Sequence, residues 1–358
     1  VNIVGFIRSG ELGILPVPYY RVAMPLEALR QMAGWKTRNY DQTALISAFR
    51  LSYKVGRDPD EFVSGFDLYV LSRLYGGEHR DEFFDLIHEK GGLIVFDTDD
   101  DLTEEYRNLD GRGEEFIDTI IECDAVTVST DYLAGQIRKH TNHNPIVLPN
   151  HVNFEWFSER SLNTSKKYDG LVIGVLGTET HYKDWEHLVP VFDRLSREYD
   201  DVVILSGGYC PEYMEKYEHI PFVPYSQYPC LMRQFDIVCC ALEPIDGFNL
   251  SKSSVKALES MASARRLSNG AIGGAVAVCT DMPVYQKTVR DKYNGFLVNN
   301  DEWYETLKEL IENERLRNKV AVSGHRWVRK NRDMAKGYKL WRRAYRDIAG
   351  GKHDSKDI

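Results

Sequence analysis

Twice along the chain, short apolar runs rich in β-formers alternate with stretches of helical period, and a polar break separates the two series. This is how βαβ units read in sequence: parallel strands are buried on both faces and appear as continuous apolar runs, with a helix returning the chain between them. In the first series, strands fall at Asn2 to Ile7, Leu68 to Ser72, Leu93 to Phe96, Ala125 to Ser129 and Ile146 to Leu148. Helices fall at Met24 to Met32, Glu82 to Lys90, Glu114 to Cys123 and from Thr130 onward. The second series has strands at Leu171 to Gly177, Val202 to Leu205, Ile237 to Ala241, Ala275 to Val278 and Phe296 to Val298. Its helices are Trp185 to Tyr199, Val255 to Ala264, Trp303 to Glu312 and Arg315 to Lys330. Ser158 to Asp169 carries no apolar period and reads as a linker. At 358 residues the chain exceeds what one core usually supports. The expectation is an α/β protein of two domains, 1–157 and 170–325, with a cleft between two parallel sheets. A C-terminal helix over 326–349 is expected to cross back to the first domain, and 350–358 to be a frayed tail.

Composition narrows the classes of function. A net charge of -9 argues against a general nucleic-acid binder. No segment approaches the ~20 uninterrupted apolar residues of a membrane span, and the start, Val1 to Ile7, fits a first buried strand better than a secretory signal. The six cysteines show no CxxC spacing and read as reduced thiols of a cytoplasmic protein, which makes the sequons at Asn163 and Asn249 accidental. One region breaks the acidic balance: Arg326, Arg329, Lys330, Arg332, Lys336, Lys339, Arg342, Arg343 and Arg346 interleave with Trp327, Tyr338, Trp341 and Tyr345. That pattern fits a solvated helix face with aromatic anchors, or peripheral contact with anionic lipid, an anionic acceptor or nucleic acid.

In open parallel sheets, ligands bind beyond the carboxyl ends of strands, where helix N-termini present unpaired N–H groups to phosphates. The segment Asp246-Gly-Phe-Asn-Leu-Ser-Lys-Ser-Ser-Val-Lys-Ala-Leu-Glu259 follows a strand and opens a helix, with Ser253 or Ser254 as N-cap and Val255 as first helical residue. Lys256 and Glu259 then share a helix face, a cation for phosphates and a carboxylate for ribose hydroxyls. An ordinary capped helix with a surface ion pair fits the same segment. His140 and His143 have metal-pair spacing but precede Pro145 in a polar connection, and read as loop. Gly10-Glu-Leu-Gly13 follows the first strand as a short glycine loop, and Arg21 beyond it either binds an anionic acceptor group or pairs with a carboxylate.

The segment Phe248 to Glu259, continued by Ala275-Val-Ala-Val278, Met282-Pro-Val-Tyr285 and Asn294-Gly-Phe-Leu-Val298, resembles the donor domain of family 4 retaining glycosyltransferases. Tyr19-Tyr-Arg-Val-Ala-Met-Pro-Leu26, Phe96-Asp-Thr-Asp-Asp-Asp-Leu102, Val128-Ser-Thr-Asp-Tyr-Leu133, Leu148-Pro-Asn-His-Val152 and Gly177-Thr-Glu-Thr-His-Tyr-Lys-Asp184 follow the same family's order. The resemblance implies the GT-B fold, two Rossmann-like domains facing across a cleft, and transfer of a sugar with retention from a nucleotide-sugar donor without metal or other cofactor. It implies that His181 and Lys183, beyond Gly177 and Thr178, meet the donor pyrophosphate as stabilising cations. It further implies that Glu259 binds ribose, that the turn Pro221-Phe-Val223-Pro offers backbone to the base, and that Gly247, Phe248, Asn249 and Leu250 line the donor. Gly13, Tyr20 and Arg21 fall on the acceptor side. The acceptor is left open among glycan, glycolipid, small molecule, protein and DNA.

The chain also departs from the family. The position eight before Glu259 is Ser251 where a second glutamate is common, and Asp97 stands where many members have histidine. Asp97 or Asp99 can bind a sugar or acceptor hydroxyl, cap a helix, or with Asp100 and Asp101 attract a metal. The stretch Ser263 to Ile272 is longer than the family's turn. A sugar-nucleotide epimerase or a non-catalytic nucleotide-sugar binder are the rival readings.

Overall fold

The apolar runs become two separate sheets. The computed structural model describes residues 1–10, 13–42, 64–73, 80–101, 112–210, 217–244 and 247–354. Its two units are 1–150 with 334–358, and 151–333.

The first unit holds β1 (Asn2–Ile7), β2 (Lys36–Asp41), β3 (Leu68–Ser72), β4 (Leu93–Thr98), β5 (Ala125–Val128) and β6 (Ile146–Val147). They form one six-stranded sheet in the order β2-β1-β3-β4-β5-β6, with every pair parallel. Its core gathers Val4, Phe6, Tyr69, Leu71, Phe96 and the helix residues Phe83, Phe116 and Leu133. The second unit holds β7 (Leu171–Gly177), β8 (Val202–Gly208), β9 (Glu218–Ile220), β10 (Ile237–Cys240), β11 (Val276–Thr280) and β12 (Phe296–Val298). These form a second parallel sheet of six strands, β9-β8-β7-β10-β11-β12, around Ile173, Val175, Phe192, Ile237, Val278 and Trp303. In both sheets the strand order reverses beside the first strand, which creates the switch point where ligands bind such folds.

Four features differ from the sequence expectation. Lys36–Asp41 and Glu218–Ile220 are strands that polar sequences hid; each lies at a sheet edge, where ladder hydrogen bonds rather than burial hold it. Ser158 to Leu162 is not linker but the end of a helix, Phe154–Leu162, whose anchors Phe154 and Phe157 precede the polar stretch and are buried. The helix expected over Trp185 to Tyr199 is two, Tyr182–Glu186 and Val189–Glu198, the second opened by Pro190, which has no N–H to continue the first. The long stretch Ser263 to Ile272 folds as a ribbon, Arg265–Arg266 against Ile272–Gly273. Arg265 there pairs with buried Asp236, which also accepts from Lys166 Nζ at 2.6 Å and the Val172 amide at 2.7 Å.

The basic C-terminal run is likewise divided. Glu314–Asn331 is a helix of the second unit, and Met334–Asp354 a helix of the first that continues through the expected tail; residues 355–358 lie outside the described residues. Among the described residues no helix is long and apolar enough to cross a membrane. All six cysteines are free thiols.

Candidate functional site

At the carboxyl end of β7, Gly177 lets the chain turn back on itself. A Cβ there would lie 2.6 Å from His181 Cδ2 and 3.2 Å from Trp185 Cζ2, so a side chain would displace the turn that follows. Thr178, exposed, heads that turn, the 3-10 segment Glu179–His181, and the helix Tyr182–Glu186 continues it. The His181 and Trp185 rings stack with centroids 6.0 Å apart.

Asp184 organises this end of the sheet, and its role was not read from the sequence. It is 1 % exposed. Its Oδ2 lies 2.6 Å from His181 Nδ1, and its Oδ1 accepts from the Glu243 amide and from Asn249 Nδ2, both at 2.7 Å. It therefore ties the turn after β7 to the segment after β10. The only sequence signal was the His181-x-x-Asp184 spacing. Burial alone would raise the Asp184 carboxyl, but the His181 hydrogen bond, the Glu243 amide and Lys256 outweigh it and hold it below the usual carboxylate range.

His181 is pushed down to about 4 by burial and by Lys256, with Lys252 adding to the effect and Asp184 opposing it. At neutral pH the ring is uncharged: Nδ1–H donates to the Asp184 carboxylate, and Nε2 is left as an acceptor. The expected His181 cation is thus corrected. The positive charges beside it are Lys256 and Lys252. Lys183, the other expected cation, is exposed, its Nζ 5.7 Å from the Tyr182 ring centre.

The His181 shift sets a stability window. The unfolded imidazole takes up a proton near 6.5 and the folded one only near 4, so the stabilisation is fully present above 6.5 and declines as pH falls through that interval. His187 and His325, also lowered by burial, act in the same direction. Urea unfolding followed from pH 7 to pH 4 should show a shallower decline for His181→Gln; identical slopes would assign the effect to other groups.

The segment after β10 carries the remaining candidates. Asp246 lies outside the described residues. Gly247–Ser251 forms a short helix in which Asn249 is buried against Asp184, Leu250 is half-buried, and the Phe248 ring lies 4.2 Å from Lys252 Nζ. The helix Val255–Ala262 follows, with Ser254, not Ser253, at its N-cap position. The Ser254 hydroxyl bonds Thr288 Oγ1 at 2.7 Å and gives the helix no side-chain cap, so its first amides are not satisfied by that residue. Lys256, in the first turn and half-buried, has its ammonium lowered by burial. Glu259, one turn deeper and 4 % exposed, is hydrogen-bonded by the Tyr228 hydroxyl, which burial and the Glu259 charge push well above the usual tyrosine range. Nothing in the local pattern points to Tyr228, which stands 31 positions before Glu259. Val223 is half-buried in the irregular segment that follows β9.

The first unit's candidates are arranged differently. Arg21 and Asp97, both 0 % exposed, take each other: Nε donates to Oδ1 at 3.0 Å and Nη2 to Oδ2 at 2.8 Å. Arg21 Nη1 also donates to Asn150 Oδ1 at 2.8 Å and to the Leu148 carbonyl, while Thr127 donates to Asp97 Oδ2 at 2.6 Å. Of the two readings open for Arg21 the structure shows the carboxylate pair, and the Asp97 carboxylate, expected to bind a sugar or acceptor hydroxyl, is taken up by Arg21 and Thr127; together they brace the ends of β4, β5 and β6. Tyr20, 2 % exposed and edge-on to Tyr19, is a core residue and not an acceptor contact. Asp99 is buried beside Arg73 Nη2 at 2.8 Å, and burial raises its carboxyl. Arg73 also pairs with Asp100 and adopts a φ of 53° at the carboxyl end of β3. Gly13 lies in a small ribbon, Ser9–Gly10 against Gly13–Ile14; Glu11 and Leu12, like Leu102, lie outside the described residues. Among the described residues no three His, Cys, Asp or Glu side chains converge as a metal site.

No protein-family model matches the chain, and no curated protein matches it by sequence. Solved structures do. Sucrose-phosphate synthase from Thermosynechococcus elongatus is similar over 98% of this chain and 100% of its own, with 12% identity and a TM-score of 0.67. HepE from Anabaena, solved in complex with UDP and glucose, is similar over 96% of this chain and 99% of its own, with 10% identity and a TM-score of 0.64. S. aureus TarM is similar over 79% of this chain, which spans about half, 54%, of TarM, at 13% identity and a TM-score of 0.56. At such identities the likeness is one of fold, and the chain has the GT-B fold: two Rossmann-like units, each built on its own parallel sheet.

Proposed function

We propose that this chain is a retaining glycosyltransferase that moves a sugar from a nucleoside-diphosphate sugar to an acceptor hydroxyl without a divalent metal. The observation that carries the reading is the convergence, at the sheet's switch point, of Lys256, the His181–Asp184 pair and the first amides of Val255–Ala262, with Glu259 one turn further along the same helix. The fold shared with HepE, which was solved with UDP and glucose bound, supports the donor class.

In this reading the diphosphate lies against those amides and the Lys256 ammonium, and Glu259, oriented by Tyr228, accepts from the ribose hydroxyls. The bond from sugar C1 to the phosphate oxygen breaks, and negative charge grows on the departing diphosphate. A fixed cation and fixed amides stabilise that charge more in the transition state than in the bound donor. The acceptor oxygen bonds to C1 from the same face, and its proton passes to the departing phosphate oxygen. Neutral His181, with Nε2 as acceptor, suits a hydrogen bond from a donor hydroxyl rather than a charge contact with phosphate. The acceptor class is a glycan, a glycolipid or a small molecule.

A panel of UDP, GDP, ADP and TDP sugars in thermal unfolding tests the donor. At a concentration about 100-fold over Kd the matching donor adds about 2.7 kcal/mol of stability, and Glu259→Ala should lose that shift when measured against its own ligand-free midpoint. Turnover should persist in EDTA. Activity that disappears with chelator and returns with Mg²⁺ removes the metal-free part of the reading; no shift with any nucleotide removes the reading itself.

A further inference from the structure

We infer that the outer face of the helix Met334–Asp354 docks the first unit onto an anionic bilayer surface. Along this helix burial and charge separate cleanly. Met334, Gly337, Trp341, Ala344 and Tyr345 are buried, with Trp341 0 % exposed beneath the Arg21 guanidinium. Lys336, Lys339, Arg342, Arg343 and Arg346 are all exposed on the other side. At 100° per residue these cations fall on one arc, so they point the same way from the unit.

The alternative is a solvated face whose charges are quenched by neighbouring acids. Among the described residues, no ion pair engages Lys339, Arg342, Arg343 or Arg346, and Asp347 is the single acid exposed among them. In a chain of net charge -9, Lys339, Arg342, Arg343 and Arg346 thus stand together on one helix face without an acidic partner among the described residues. Arg326, Arg329 and Lys330, which looked continuous with the stripe in sequence, belong to the second unit and are not part of it.

The stripe also carries an apolar residue, which decides the partner. Leu340 is 40 % exposed, one turn from Lys336 and from Arg343. A nucleic-acid backbone or a soluble polyanion gains nothing from a leucine held out between cations. A bilayer interface gains from both, because headgroups meet the cations while the leucine and the lysine and arginine stems enter the acyl boundary. The inference does not depend on the donor chemistry proposed above.

The test is co-sedimentation of the full chain with vesicles of phosphatidylcholine, alone or with about a third phosphatidylglycerol. Binding is expected to the anionic vesicles at low salt, with little to the neutral ones, and release as salt shortens the screening length to about 3 Å at 1 M. Each exposed cation near the surface is worth about fivefold in partitioning, so Lys339→Gln with Arg343→Gln should weaken binding about 25-fold. Leu340→Asn should weaken vesicle binding several-fold and leave retention on heparin unchanged. These side chains face solvent, so the variants should keep the wild-type unfolding midpoint. The inference is overturned if wild type ignores anionic vesicles, if the double variant binds as wild type does, or if duplex DNA is bound more tightly than vesicles.

Discussion

In the proposed reaction Lys256→Ala should lower sugar transfer by about 10²- to 10³-fold, the loss typical of removing one preorganised donor of positive charge from a site where anion develops. The expectation rests on position. Lys256 is held in the first turn of its helix, close enough to depress the His181 proton affinity, and the same field acts on a departing diphosphate. Because the interaction strengthens as the leaving group gains charge, the loss should appear in kcat more than in KM. Lys183→Ala, at the exposed position where the family resemblance put a cation, should change kcat by less than threefold, by order of magnitude. If instead Lys183→Ala is the damaging substitution and Lys256→Ala is mild, the cation has been assigned to the wrong residue. Initial rates with saturating donor and acceptor decide between them.

Arg21→Ala should cost about 3–5 kcal/mol of stability, the range for removing one member of a buried charge pair. The Asp97 carboxylate would stay sealed in the first unit with Thr127, among the described residues, as its one remaining side-chain donor, and Asn150 and the Leu148 carbonyl would each lose a partner. Arg21→Lys should recover little, since one ammonium cannot reach both Asp97 oxygens and the β6 end together. Arg21→Met combined with Asp97→Leu should recover much of the loss, because it removes both charges instead of stranding one. Urea midpoints of the three variants measure this; a loss below about 1 kcal/mol for Arg21→Ala would show that water reaches the pair and screens it.

What could be read from the sequence was what depends on local pattern. Runs such as Leu171-Val-Ile-Gly-Val-Leu-Gly177 are buried on both faces and name themselves as parallel strands. Lys36–Asp41 has no such signature, because a polar edge strand is specified by its neighbour's free backbone groups and not by its own side chains. The site shows the same divide. Lys256 and Glu259 are visible as a pair because helix geometry relates neighbours three apart. Beyond its neighbour His181, the partners of Asp184 stand 59 and 65 positions away, and Arg21 is 76 from Asp97. Chemistry that arises only when distant strand ends meet has no local spacing to betray it, so Asp97 resembled a reactive carboxylate until its arginine was found.

The chain leaves the first unit after Asn150 and rejoins it at Met334, and within the second unit the two ends of the excursion touch: Val152 bridges Asp333, and its amide donates to the Arg332 carbonyl at 2.9 Å. The second unit is in effect a guest inserted into a host. The guest is one unbroken stretch of polypeptide with its termini side by side, so 151–333 is a sensible fragment to express alone. The host is not. Any chain cut before residue 334 strips Trp341 from beneath Arg21 and takes buried Tyr345 with it, and during synthesis the host waits for the guest to be made before its last helix can close the core.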